Sequence, residues 1–537
     1  MAAVYNAGDR VTNKSKEYKR KEEDFEIDLV DEIQLKSEVS VADEPNRPIG
    51  EVVEALQSDR MRDTKIGKLL LTMSLPAIFS MLVQALYNIV DSLFLTNISY
   101  NVVGYVGTNI GKDSFDAVSI VMPMTMLVVA IGIGIGVGAN AYIARKLGEG
   151  NREDADKAAK SAIVMSIAFW LLMLALAFVV SKPFMRLFVE ESNVSDVDYV
   201  INQGALYLEI YMAGSIGVIV DITCARILQA TGNMKIPMIT QLVGALTNIA
   251  LDALFIVAFK WGVLGAILAT VIGQWAAAII DVTMFIVKKQ DVSISLKGYK
   301  PQKHYFFMIL KIGAPAFIMN AMSSVVTIIM NTLLKSYPNG ITVLSAYFKV
   351  QSFIFMPIFG LMQGAMPILS YNYGANQKKR FNDTFKLGLL IAVGVLAAGT
   401  LLFQVFPEAL MSIFKSNATV EGQDIDAINA QLVKEGAYAF RAISIAFIPA
   451  AFSILIINML QSINCPVSSL LMSLSRQLLF LIPSAILFNY LWQQSGIWFC
   501  YPVAEVLSVV VYLPFAIRDY RKQFAYKARQ YSEHLLG

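Results

Sequence analysis

Residues 69–95, LLLTMSLPAIFSMLVQALYNIVDSLFL, are long and apolar enough to cross a bilayer, yet they carry Asp91. A transmembrane helix needs about 20 apolar residues, and an acid near its middle costs roughly 2.5–3.5 kcal/mol on insertion scales. A chain that keeps such a residue has reason to turn it inward, onto the path of an ion or substrate. Gln84, Tyr87 and Asn88 lie on the two turns before Asp91 and widen the polar stripe, which makes them candidate substrate contacts.

The rest of the chain repeats this apolar design. Of 537 residues, 56% are hydrophobic and only 16% charged, which excludes an ordinary soluble protein. About twelve spans of crossing length run near 69–95, 115–144, 158–181, 203–230, 237–259, 262–287, 306–335, 341–371, 385–406, 437–463, 468–491 and 496–517. The fold class is therefore all-α, a polytopic membrane protein in contact with the lipid bilayer. The net charge of +3 comes from basic residues scattered in short loops, so no face is built for nucleic acid. Cys224, Cys465 and Cys500 have no metal-ligand spacing and read as free, buried thiols. The two histidines, His304 and His534, fall at membrane edges, which leaves zinc chemistry or a histidine-based triad without material and argues against an enzyme. GTNIGKDS at 107–114 fails the P-loop spacing, so no ATP site and no cofactor is expected. The glycines of GIGIGVGAN at 132–140 fit close helix packing better than phosphate binding.

Loop charge sets the expected topology. The loops after spans two, six and eight hold Arg145, Lys146, Arg152, Lys157 and Lys160, then Lys288, Lys289, Lys297, Lys300 and Lys303, then Lys378, Lys379, Arg380 and Lys386. Those after spans three and nine are acidic, with Glu190, Glu191, Asp196 and Asp198, then Glu421, Asp424 and Asp426. The positive-inside rule makes the basic loops cytoplasmic and, with an even number of spans, both termini cytoplasmic, in a multi-pass protein of the cell membrane. Residues 1–64 read as a disordered cytoplasmic tail, with a short surface helix at 52–61, and residues 518–537 as a basic cytoplasmic tail.

A weak internal repeat divides the spans into halves. LPAIFSMLVQALYN at 75 parallels APAFIMNAMSSVVT at 314; Gly148, Arg152 and Lys160 match Gly374, Lys378 and Lys386; Gly204 and Gln229 match Gly436 and Gln461. Two pseudo-symmetric six-helix lobes follow, 65–287 and 306–517, joined by a cytoplasmic linker at 288–305. Equal orientation of two even-numbered halves places their symmetry axis along the membrane normal, with a cleft between lobes that can alternate access.

Chemistry concentrates in the first lobe. Gln241, Asn248 and Asp252 share one face of span five, and Thr270 and Gln274 one face of span six. Packed beside span one, Asp91, Asn248, Asp252 and Thr270 would offer two carboxylates, an amide oxygen and a hydroxyl, ligands suited to a hard cation or a proton. The matching positions of the second half carry no acid, being near Met330/Asn331 and Ser484. Pro76 removes a hydrogen bond from span one and is a candidate hinge. Tyr207 and Tyr211, with Tyr87, could stack on a cationic substrate. Asp221 and Asp281 are expected to pair with Arg226 or reach the cytoplasmic edge, and Lys349, Arg441 and Arg476 to snorkel.

With these residues in view, LPAIFSMLVQALYNIVD, NIALD, ARKLGEGNREDADKA and LQATGNMKIP resemble the multidrug and toxic compound extrusion (MATE) family over residues 65 to about 520. The resemblance implies export of amphipathic, often cationic drugs, by H+ or Na+ antiport, from a V-shaped pair of six-helix bundles. Within the family it is similar to the DinF-like branch, whose coupling site in the first lobe matches Asp91, Asn248, Asp252 and Thr270. Acids of another branch, on the seventh and tenth helices, are missing here, and the long amino tail is a departure from the family pattern. A flippase for a lipid-linked or amphipathic substrate is the alternative. It should line its cleft with basic residues, for which only Lys349, Arg441 and Arg476 are candidates. The working unit is expected to be a monomer.

The topology is testable by thiol labelling. In a background lacking Cys224, Cys465 and Cys500, a cysteine at Lys379 should react with an impermeant reagent only from the cytoplasmic side, and one at Asp198 only from outside. Labelling of both from one side would refute the assignment.

Overall fold

Apolar runs interrupted by caps and charge become sixteen α-helices in a computed structural model that describes residues 61–96, 110–189, 196–287, 290–337, 339–414 and 425–536. The first half holds α1 (Ile66–Thr96), α2 (Ile110–Gly148), α3 (Arg152–Phe188), α4 (Val197–Gly214), α5 (Ile216–Ala230), α6 (Lys235–Asp252) and α7 (Gly262–Val287). The second holds α8 (Lys303–Leu334), α9 (Gly340–Gly374), α10 (Lys378–Val405), α11 (Pro407–Ser412), α12 (Ile425–Ser444), α13 (Phe447–Ser462), α14 (Pro466–Leu474), α15 (Ile482–Ile497) and α16 (Cys500–Leu536). Among the described residues ten helices are long and apolar enough to cross a membrane, and up to twelve spans result if each bent pair counts as one. Most of the amino tail, with its expected surface helix, lies outside the described residues, as do Lys288, Lys289, Glu190, Glu191, Glu421 and Asp424.

Two expected spans are broken. The fourth bends by 45° between α4 and α5, and the tenth by 45° between α12 and α13. Pro449 in the first turn of α13 lacks the N–H that would bond back across the second break. The fifth span of each half instead changes pitch, to π-helix at Ala253–Ala258 after α6 and at Ser475–Leu481 after α14. The expected tail after residue 517 does not leave the helix: α16 continues to Leu536.

The repeat is visible in backbone detail. α2 ends at Gly150 with φ +75°, α9 at Asn376 with φ +55°. In each, the next N–H reaches back to the last turn, Asn151 to the Lys146 carbonyl at 2.9 Å and Gln377 to the Asn372 carbonyl at 2.8 Å. The same left-handed cap closes α5 at Gly232 and α13 at Asn464. Glycine in the first half and asparagine in the second are the two residues that take this conformation at least cost.

The halves interlock through their first helices. Leu69, Leu70 and Met73 of α1 belong to the apolar core of the second half, whereas Tyr305, Ile309, Ile312 and Ala316 of α8 belong to that of the first. Glycines make the seats. Gly360 of α9 lies so close to α1 that a Cβ would stand 2.5 Å from the Ile78 Cα, and one on Gly364 would stand 2.8 Å from the Ser74 Cα. The symmetry-related Gly134 and Gly138 of α2 receive Phe317, Gly313 and Ile309 of α8. At the basic ends, Gly148 abuts the Tyr371 carbonyl and Gly374 the Arg145 carbonyl. Lys527 of α16 closes the same end with an ion pair to Glu149 at 2.6 Å.

Filling a seat should loosen the join. Gly138→Val or Gly364→Val should cost roughly 1–3 kcal/mol by overpacking, read as a lower unfolding temperature of the detergent-solubilised protein. Gly394→Val in α10, where no atom lies within 4 Å of an added Cβ, should change it little. Equal effects at all three positions would contradict this packing.

Candidate functional site

Helices α6 and α7 touch through glycine. A Cβ on Gly273 would stand 2.8 Å from the Gly244 carbonyl and 3.1 Å from the Asn248 Cβ, so neither glycine can carry a side chain without spreading the pair. This contact sets the polar groups of the next turn side by side. Asn248, 4% exposed, donates its Nδ2 to Thr270 Oγ1 at 3.4 Å, and the Thr270 hydroxyl bonds to the Ala266 carbonyl at 3.0 Å. The other amide oxygen, Asn248 Oδ1, is buried with no hydrogen-bond partner, and Gln274 Oε1, one turn from Thr270, is in the same condition. Leaving an acceptor in that state costs about 1–3 kcal/mol, which makes it a place for a ligand or water.

Asp252 is fully buried and closes the regular part of α6. Directly after it the helix widens to π pitch, with the Phe259 N–H bonding to the Leu254 carbonyl at 2.9 Å. Single π turns inside helices concentrate at functional sites because they re-aim neighbouring side chains. The span then ends in a sharp turn, with Lys260 and Gly262 both at positive φ.

α1 packs against α6. Asp91 lies in the last two turns of α1, nearer the helix end than the mid-span position expected, and the side chains of Asp91, Tyr87 and Asn88 lie outside the described residues. Gln84 is exposed, and Gln241 on α6 is half-buried. Tyr207 and Tyr211 of α4 are 6% and 4% exposed within the first-half core, their rings nearly parallel at 9° and 6.5 Å apart. Pro76 sits between Ser74 and Ile78, the two α1 residues seated on α9, and its carbonyl accepts from the Ser80 hydroxyl at 3.0 Å. The structure thus brings Asn248 and Thr270 into contact and leaves the tyrosines on a separate helix.

Two charged groups differ from expectation. Arg226 does not pair with Asp221; it donates to Gln229 Oε1 at 3.2 Å while its stem packs on Gly136. Asp221 faces Asp281 instead. Arg476 does not snorkel but holds Glu505 at 2.8 Å, both side chains 15% exposed. Those two positions are the repeat counterparts of Gly244 and Gly273, so one half joins its fifth and sixth spans by bare backbone and the other by an ion pair. Sequence reading missed both pairs, although isolated acids within apolar spans were the available signal.

Comparison with known proteins follows the repeat. The MatE family model matches residues 76–254 and again 315–487. Multidrug export protein MepA of Staphylococcus aureus (strain MSSA476) is 25% identical over 454 residues, 83% of this chain and 94% of that protein. The protein of the same name from Staphylococcus saprophyticus is 22% identical over 360 residues, 67% of this chain and 76% of that one. Among solved structures, one described as the outward-facing conformation of a multidrug resistance MATE family transporter of the MOP superfamily superposes with a TM-score of 0.76 at 20% identity. It covers 88% of this chain and 98% of that chain. A MOP superfamily transporter from Pyrococcus furiosus, described as having a binding pocket of reverse polarity, gives 0.76 at 20% identity, covering 87% and 98%.

The Asn248–Thr270 contact yields a stability test. Thr270→Val removes the acceptor of a buried amide and should destabilise the protein by roughly 0.6–2 kcal/mol, the range for hydrogen bonds between membrane helices; Thr270→Ser should restore it. Thermal unfolding of the purified variants decides, and indistinguishable Val and Ser variants would contradict the contact.

Proposed function

This chain belongs to the MATE family, and from that premise we propose that it is a secondary active exporter of amphipathic, often cationic organic compounds, driven by inward movement of H+ or Na+. The observation that carries the reading is the polar cluster on α6 and α7: a fully buried Asp252 one turn from an Asn248–Thr270 pair whose amide oxygen lacks a partner. Such a cluster, inside a membrane and walled by apolar helices, supports transient cation binding. Multidrug export by the MepA relatives supports the substrate class.

Coupling follows from the two attachments of α1. Its first turns are seated on α9 of the opposite half, and it packs along α6 of its own. Occupancy of an Asp91–Asp252 site changes the charge between α1 and α6, and α1 transmits that change to the inter-lobe seat, with Pro76 in the middle of the seat as the hinge. Contacts at the basic ends close the lobes there, which supports an outward-open state in this structure. A cation entering through about 150 mV contributes roughly 3.5 kcal/mol, enough for a drug gradient of a few hundredfold. The flippase reading is weakened because Arg476 is neutralised by Glu505, and Arg441 lies 3.7 Å from Glu408.

The test is efflux of a fluorescent cationic dye from vesicles under separately imposed pH and sodium gradients. Asp252→Asn should reduce gradient-driven efflux at least about tenfold with expression and unfolding temperature retained. Full-rate efflux by that variant would remove Asp252 from the site, and no response of the unmodified protein to either gradient would refute cation-driven export.

A further inference from the structure

A second pair of buried acids lies deeper in the same half. Asp221 on α5 and Asp281 on α7 lie on helices that pack together, near enough for each charge to act on the other. Asp281 is fully buried and Asp221 half-buried. Oδ1 of Asp221 and both carboxyl oxygens of Asp281 are buried and meet no hydrogen-bond partner. Among the described residues no cation offsets them, Arg226 being turned toward Gln229 and Gly136. The other titratable neighbour is Cys224 of α5. α6 brings only the Thr240 hydroxyl, which donates to the Pro237 carbonyl at 3.1 Å. No charged group from α2, α3 or α6 reaches the pair among the described residues.

Two carboxylates cannot share such a place while both are ionised. Each ionised carboxylate is only an acceptor. A single proton between them turns repulsion into a hydrogen bond.

The pair is connected to the coupling cluster by sequence register. Thr240, Gly244, Asn248 and Asp252 recur every four residues on α6, and Thr270, Gln274 and Asp281 follow at four and seven on α7. Both stripes therefore run down the shared face of the two helices. Thr240 precedes Asp252 by twelve residues and Asp281 follows Thr270 by eleven, placing the two layers about 17 Å apart. Between them the unpaired oxygens of Asn248 and Gln274 offer acceptors for bridging water. The repeat counterparts of Asp221 and Asp281 in the second half are Ser453 and Leu513, so the feature belongs to one lobe.

We propose that Asp221 and Asp281 form a proton-binding relay, taking the coupling proton from the Asp252 cluster along the α6–α7 stripe and releasing it toward the basic face. This rests on the reading of Asp252 above and deepens it by naming the ion. The proton moves from the Asp252 carboxyl through water to Asp281, then to Asp221, whose partial exposure opens the way out. Each transfer breaks one O–H bond and forms another.

The test uses the full chain in proteoliposomes, with a fluorescent cationic dye as substrate and imposed pH or sodium gradients. Asp221→Asn and Asp281→Asn should each lower pH-driven transport at least about tenfold and alter its pH profile, while dye affinity stays within about twofold. Asp281→Glu should recover much of the rate. Infrared spectra of the unmodified protein should contain a protonated carboxyl band that is lost in Asp281→Asn and kept in Asp252→Asn. Unchanged pH-driven transport in both Asn variants, with Asp252→Asn inactive, would overturn the relay and leave the coupling site standing. Transport driven by sodium alone would also overturn it. So would equal losses of rate and dye binding in Asp281→Asn and Asp281→Glu, which mark a structural role. Failure of the unmodified protein under both gradients would instead refute the exporter reading itself.

Discussion

Close backbone contact across the two halves is the constraint on which the rest of this structure depends. Membrane helices gain nothing from hydrophobic sequestration against lipid, so they associate by packing at short range, and small residues set that range. Here Gly360 and Gly364 seat α1, Gly134 and Gly138 seat α8, and Gly148 and Gly374 meet carbonyls of the opposite half. Each first helix consequently lends its basic end to the other half's core while packing elsewhere in its own half. Six glycines make this join.

The two halves share a backbone plan and divide the chemistry. Both close their second and fourth spans with the same left-handed caps, and both bend a span by 45°. Where the fifth and sixth spans meet they part company. In the first half Gly244 and Gly273 let backbones touch and place Asn248 against Thr270; in the second, Arg476 and Glu505 fill the same positions. The ion pair is self-neutralising, whereas in the first half no cation pairs with Asp221 or Asp281 among the described residues.

Much of this was legible from residues alone. Span count, the doubled plan and the family resemblance follow from apolar length and from repeats such as Gly148/Gly374, because a bilayer imposes length and duplication preserves spacing. The faces shared by Asn248 with Asp252 and by Thr270 with Gln274 follow from helical periodicity. The breaks near Ser215 and Ala446 were hidden because hydropathy runs continuously across them, and the cues, Gly214 and Pro449, are common inside membrane helices. Partners across helices were hidden for a different reason. Periodicity says which face Asp221 occupies, not which span arrives opposite, so Arg226, five residues away, looked a better partner than Asp281, sixty residues on. The continuation of α16 to Leu536 was missed because its basic residues mimic a solvated tail, although Lys527 is held by Glu149.

If charge within the first half governs closure at the basic ends, as proposed above, the distance across those ends must respond to it. Spin labels at Glu153 and Lys379, which flank Gly148 and Gly374 on opposite halves, report that closure directly through their dipolar distance in lipid nanodiscs. A short and a long population are expected, whose ratio shifts between acid and neutral pH or on addition of sodium, and which Asp252→Asn holds at one ratio. A single distance that ignores pH, sodium and the substitution would contradict it.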